Sequence, residues 1–176
     1  MPVTTISNHR RAWLGGLVSV ACGFALLAGP QASAQNAPVG FDIRINHVGI
    51  SVANLEESVD WYVNMLGFEV IDAIDRNPDA RSTIARIRRN GFTIELFEMK
   101  DAAPLPEYRR DPSADLRVHG LAHFAFEVDD AMAVMEELEA KGVNIVFRPR
   151  VDDNGQTFFF VNDNSGNSFE FIERLR

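Results

Sequence analysis

His47-Val48-Gly49-Ile50-Ser51-Val52-Ala53-Asn54 recurs 76 positions later as His123-Phe124-Ala125-Phe126-Glu127-Val128-Asp129-Asp130. Each stretch opens on a histidine, alternates apolar side chains, and closes on a residue suited to capping a helix. Ile94-Glu95-Leu96-Phe97-Glu98 matches Phe169-Glu170-Phe171-Ile172-Glu173, and Leu66-Gly67-Phe68 matches Lys141-Gly142-Val143, both at an offset of 75. Matches in one order at one spacing predict a duplicated module.

Working outward, each module reads as a strand, a helix and three more strands. In the first, alternation predicts a strand over Ile43 to Val52. Asn54 with Glu57 three residues on forms a capping-box pattern. Leu55, Val59, Tyr62, Val63 and Leu66 follow at helical spacing, and Gly67 suits the position just past the helix end. Strands are predicted over Phe68 to Asp75, Thr83 to Arg89 and Phe92 to Met99, with Asn90-Gly91 as a tight hairpin turn. The second module places strands over Leu121 to Val128, Val143 to Phe147, Gln156 to Val161 and Asn167 to Glu173, and a helix over Met132 to Ala140. Lys100 to Arg117, with Pro104, Pro106 and Pro112, reads as a linker or lid.

Side chains alternate along a strand, so parity assigns faces. Val48, Ile50 and Val52 take one face and His47 the other. Ile94 and Leu96 lie opposite Glu95; Phe124, Phe126 and Val128 lie opposite His123; Phe169 and Phe171 lie opposite Glu170. The large apolar faces can cover the helices. The other faces then present His47, Glu95, His123 and Glu170, two per module. An unpaired carboxylate inside an apolar strand such as Phe169-Glu170-Phe171 costs several kcal/mol or more. Imidazole and carboxylate donors together suit a divalent first-row metal ion, which offsets that cost. The spacing therefore predicts one metal site from His47, Glu95, His123 and Glu170.

Other candidates carry blander readings. His119 falls in the linker, and Arg86, Arg88 and Arg89 read as a solvated strand end that could also meet an anion. Trp61 and Tyr62 read as packing. Glu98 and Glu173 take the parity opposite the proposed ligands.

The N-terminal stretch 1–34 reads as a cleavable export signal. Arg10 and Arg11 precede an almost uncharged apolar run, Pro30 breaks it, and Ala32-Ser33-Ala34 has the small-residue spacing of a cleavage site. HRRAWLGG, at positions 9–16, is similar to a twin-arginine signal. The expectation is a periplasmic protein starting near Gln35, with residues 35–40 disordered and no stable membrane insertion after cleavage. Cys22, the single cysteine, falls inside the signal, so the mature chain has neither disulfide nor thiol chemistry. The net charge of −8 becomes −10 when two arginines and no acids are removed. An acidic chain without a basic stripe argues against nucleic acid as a partner.

With these motifs in place, the chain resembles the vicinal oxygen chelate superfamily, which includes glyoxalase I, methylmalonyl-CoA epimerase, extradiol dioxygenases and bleomycin-resistance proteins. The resemblance is carried by HVGISVANLEESVDWYVNMLGFEV, TIELFE, HGLAHFAFEVDD, Lys141-Gly142-Val143 and GNSFEFIE. It implies an α+β fold over residues 41–176, in which paired βαβββ modules (41–99 and 118–176, joined by 100–117) curl a mixed sheet around a metal cavity. It also implies one divalent ion (Zn, Ni, Co, Mn or Fe), and His47, Glu95, His123 and Glu170 match the ligand pattern of the glyoxalase and epimerase branches.

The leading functional expectation is a metal-dependent isomerase or lyase. Glu95 or Glu170 would be the base, and a small oxygenated substrate would pass through an enediolate-like intermediate. A second is an Fe(II) extradiol-type dioxygenase using His47, His123 and Glu170. A third is a non-catalytic small-molecule binding or resistance protein. Whether one chain or a homodimer completes the site stays open at this level.

Overall fold

The computed structural model describes residues 42–72 and 80–175. The stretch 1–34, read from the sequence as an export signal, and the segment 35–40 lie outside them. All the elements below belong to one compact unit, Ile43–Arg176.

The first half runs β1 (Val48–Ser51), α1 (Leu55–Leu66), β2 (Glu69–Val70), β3 (Ser82–Arg89) and β4 (Phe92–Met99). After a 3₁₀ turn (Glu107–Arg110) and the short helix α2 (Pro112–Asp115) come β5 (Ala125–Val128), α3 (Ala131–Ala140), β6 (Asn144–Val151), β7 (Thr157–Asn162) and β8 (Ser168–Glu173). Two four-stranded sheets result, in the orders β1-β4-β3-β2 and β5-β8-β7-β6. Both are mixed, because β1 pairs parallel with β4 and β5 parallel with β8, while the other pairings are antiparallel. The α+β class expected from the sequence is the class observed.

Local chemistry explains the elements. Asn54, extended at φ −143°, accepts the Glu57 amide and donates to Glu57 Oε1, so the capping box forms. Gly67 closes α1 at φ 66°, a left-handed conformation that a Cβ disfavours. Asn90 and Gly91 both have positive φ, as a two-residue hairpin turn requires. Leu55, Val59, Tyr62 and Leu66 bury on α1; Ala131, Met135 and Leu138 bury on α3.

Both helices feed one core. Trp61 and Tyr62 of α1 pack against Phe169 of β8 at ring distances of 6.0 and 6.3 Å, so their predicted packing role is the one observed. Phe92 at the start of β4 meets Phe124 and Phe126 at 5.9 and 5.7 Å. The Tyr62 hydroxyl donates to Asp163 at 3.0 Å, joining α1 to the turn after β7.

Several predicted boundaries shift. β1 and β5 begin later than alternation suggests, and His47 and His123 lie just before them. Ile45 is 90 % exposed and Leu121 68 % exposed, because strand pairing starts only at Val48↔Ile94 and Ala125↔Glu170. The strand predicted to reach Asp75 is paired only over Glu69–Val70, and residues 73–79 lie outside the described set. β6 runs on to Val151 because two irregularities extend its pairing with β7. The linker is more ordered than its prolines suggest. Asp111 caps α2 through the Ser113 amide, and Arg109 grips the buried Asp115 at 3.1 Å.

Candidate metal centre

The first pair forms where β1 and β3 flank β4. Glu95 stands opposite Gly49 on one side and Arg86 on the other. Its two oxygens are divided: Oε1 pairs with Arg86 Nη2, and Oε2 lies 3.5 Å from His47 Nε2. His47 donates from Nδ1 to Asn46 Oδ1 at 2.7 Å, which leaves the Nε2 lone pair facing Glu95. Arg86 is held from its other side by Asp72 at 2.9 Å. Glu95 is 8 % exposed, unusual for a carboxylate.

The second pair repeats this placement with different surroundings. Glu170 stands between Ala125 and Phe160. Its Oε2 lies 3.4 Å from His123 Nε2. The Phe160 ring meets His123 edge to face at 4.9 Å. Burial pushes the Glu170 carboxyl above its usual range, against the opposing pull of His123. No guanidinium pairs with Glu170 among the described residues.

Two donors each about 2.1 Å from one ion, at a tetrahedral angle, stand about 3.4 Å apart. The gaps of 3.5 and 3.4 Å match, and they are too long for direct hydrogen bonds of ordinary strength. Each pair therefore fits two neighbouring positions on one divalent ion. Within one chain the two pairs do not meet: among the described residues no group of three or more His, Cys, Asp or Glu side chains is placed to hold an ion.

A cleft of about 850 Å³ adjoins the second pair. Its walls include β1, the linker from Lys100 to Pro106, Arg109, His123 and Ser168, so the linker does cover a cavity. Of the four proposed ligands only His123 reaches it, and the cleft borders the second pair rather than enclosing both.

Some contacts around these residues join positions that share no local sequence pattern. Asn46, adjacent to His47, gave no periodic signal. Asp72 is distant in sequence from its partner Arg86, which reads as an ordinary strand cation until the register places it beside Glu95. Glu98 accepts the Leu55 amide at 2.7 Å, capping α1 from another strand. His119 is exposed.

Residues 44–171 match the Glyoxalase/Bleomycin resistance protein/Dioxygenase superfamily. The chain belongs to this superfamily. Among its relatives, lactoylglutathione lyase of Neisseria meningitidis is 31% identical over 134 residues, covering 75% of this chain and 91% of that protein. The mitochondrial methylmalonyl-CoA epimerase of Dictyostelium discoideum is 28% identical over 126 residues, covering 70% of this chain and 73% of that one. A glyoxalase family protein from Enterococcus faecalis superposes with a TM-score of 0.63 at 27% identity, covering 74% of this chain and 97% of that one.

Proposed function

We propose that this protein is a metal-dependent isomerase or lyase whose site is completed by two copies of the chain. The observation that carries the reading is the pair of His–Glu gaps, each sized for two positions on one ion. Neither pair finds a third donor in its own chain among the described residues, so His47 and Glu95 of one copy would join His123 and Glu170 of another. Names of relatives that are lyases and epimerases support this class of chemistry.

A divalent ion held there would supply Lewis-acid polarisation of substrate oxygens. The chain's own residues divide the remaining work. Glu95 is gripped at Oε1 by Arg86 and suits a fixed ligand. Glu170 has no such grip among the described residues, so it is the better candidate to swing and take a proton from carbon next to a carbonyl. Returning that proton to the neighbouring carbon, while the hydroxyl-bearing carbon that lost it becomes the carbonyl, completes an isomerisation; returning it to the opposite face of the same carbon inverts that centre. General-base action of this kind contributes roughly 10²–10⁴-fold.

A complementation experiment tests the shared site. His47→Ala and His123→Ala should each abolish high-affinity metal binding alone. Mixed after dissociation, they should restore up to about a quarter of the sites, because half the dimers are mixed and each carries one intact site. No recovery would place all four ligands within one chain or end the shared-site reading. In the same assay Glu170→Gln should lower metal affinity and activity together.

One observation favours a second reading. Arg86 engages Glu95, and the three donors left, His47, His123 and Glu170, are the two-histidine, one-carboxylate set of Fe(II) oxygenases. Glu95→Ala separates the two: turnover collapses in the isomerase or lyase, whereas iron and oxygen-dependent ring cleavage survive in the dioxygenase.

A further inference from the structure

The two half-sites differ in what surrounds their carboxylates. The strand beside Glu95 brings Arg86 and Arg88 to its face, opposite Glu95 and Thr93. The face of Glu170 carries aromatic rings instead. Phe160 stands opposite Glu170, Phe158 opposite Ile172 two residues along, and Phe147 opposite Phe160. The rings touch: Phe147 stacks on Phe158 at 5.8 Å and 15°, and both meet Phe160 edge to face at 5.8 and 6.2 Å. Phe160 in turn meets His123.

Three features mark this as more than packing. Phe147 and Phe158 stay half-buried on the face that bears the proposed ligands, whereas the opposite face of the same sheet supplies the fully buried Phe159 and Phe169. Both register shifts of β6 fall beside Phe147, between it and Ile145 and between it and Arg150; such irregularities re-aim side chains. Arg150, exposed, lies over the Phe147 ring with its guanidinium carbon 4.5 Å from the centroid. On the other side of Glu170, the paired Asn162 and Ser168 hold two buried oxygens, Oδ1 and Oγ, with no partner among the described residues. Glu170 is thus flanked by hydrogen-bonding capacity in one direction and by rings ending in a cation in the other.

We infer that the Glu170 half takes a substrate with an aryl, or comparably flat unsaturated, group ending in a carboxylate. The ring lies on Phe158 and Phe147, the carboxylate meets Arg150, and the oxygen-bearing end lies toward Glu170, Asn162 and Ser168. A ring stacked on aromatic side chains gains contact area with specific geometry, and a planar guanidinium pairs with a carboxylate through two parallel hydrogen bonds. The inference rests on the reading of Glu170 as the proton carrier.

The test uses three probes measured by calorimetry on full-length protein, both metal-free and zinc-loaded. They are 4-(hydroxymethyl)benzoate, benzyl alcohol, which lacks the anion, and 6-hydroxyhexanoate, which lacks the ring. The benzoate should bind about tenfold more tightly than either of the others, the size of effect expected for one added charge-assisted or stacking contact. Arg150→Gln should erase its advantage over benzyl alcohol alone. Phe158→Leu should shrink its advantage over the hydroxyhexanoate alone. Affinities within about twofold of one another, or a selectivity unchanged in both variants, would overturn the inference. A parallel zinc titration reads the metal site separately: probe selectivity without zinc binding would leave this inference standing and remove the metal-dependent reading.

Discussion

Arg86 shows how one side chain sets the character of a carboxylate. It bridges Asp72 and Glu95, and by taking Oε1 it leaves Glu95 a single oxygen facing His47. Arg86→Gln should free Glu95 to rotate and to bind an ion through both oxygens. Metal affinity then changes several-fold, and the visible spectrum of the cobalt-substituted protein shifts with the altered donor geometry. Arg86→Lys keeps the charge but not the planar fork, so it should hold Glu95 or Asp72 but not both. Identical spectra in all three proteins would mean that the bridge is a surface ion pair without influence on the ligand; Arg86 is 46 % exposed, where such pairs alone are weak. At this scale parity places Glu95 and Glu170 opposite the core-facing residues of their strands, because strand alternation is local. Arg86, Asn46 and Asp72 were not legible as partners, because register and loop path join residues that sequence order separates.

At the scale of elements, α1 is tied to the second half of the chain through Tyr62 and Asp163. The Asp163 carboxylate accepts from Tyr62 Oη, the Ser165 amide, and the amide and side chain of Asn167. Burial nonetheless raises its carboxyl above the usual range, the hydrogen bonds opposing that push. The folded chain therefore holds this proton more tightly than the unfolded chain. Its contribution favours folding at low pH and is lost as pH rises from the ordinary carboxylate range through the raised value. Urea midpoints followed across that window should show this slope in the wild type and lose it in Asp163→Asn, which cannot titrate. Tyr62→Phe should cost about 1–2 kcal/mol, because it removes a buried hydrogen bond while keeping the ring. The linker belongs to this scale too. Asp115→Ala deletes the Arg109 grip, so amides of residues 107–117 should exchange faster while those of β8 stay protected; equal protection in both proteins would show that the linker is held by other contacts.

For the whole molecule, the expectations concern assembly and location. A shared metal site makes dimer formation and metal binding mutually reinforcing, so zinc should shift the association equilibrium toward the dimer in light scattering, and chelation should reverse the shift. Export is proposed from the sequence alone. Material from the cell envelope should begin near Gln35, and an intact Met1 on cytoplasmic protein would remove that proposal. The amino-acid sequence by itself determined the order of strands and helices within each module, the Asn54 capping box, the Asn90-Gly91 turn and the strand faces bearing Glu95 and Glu170. All of these follow from periodicity and near-neighbour chemistry. Only the tertiary structure decided that β1 and β5 start after their histidines, that Glu98 caps a helix from another strand, and that the linker folds around Arg109 and Asp115. It alone separated the four proposed ligands into two pairs and set one carboxylate against an arginine and the other beside phenylalanines. Those outcomes depend on strand register and on which faces meet across the core, and neither is written in any local stretch of the chain.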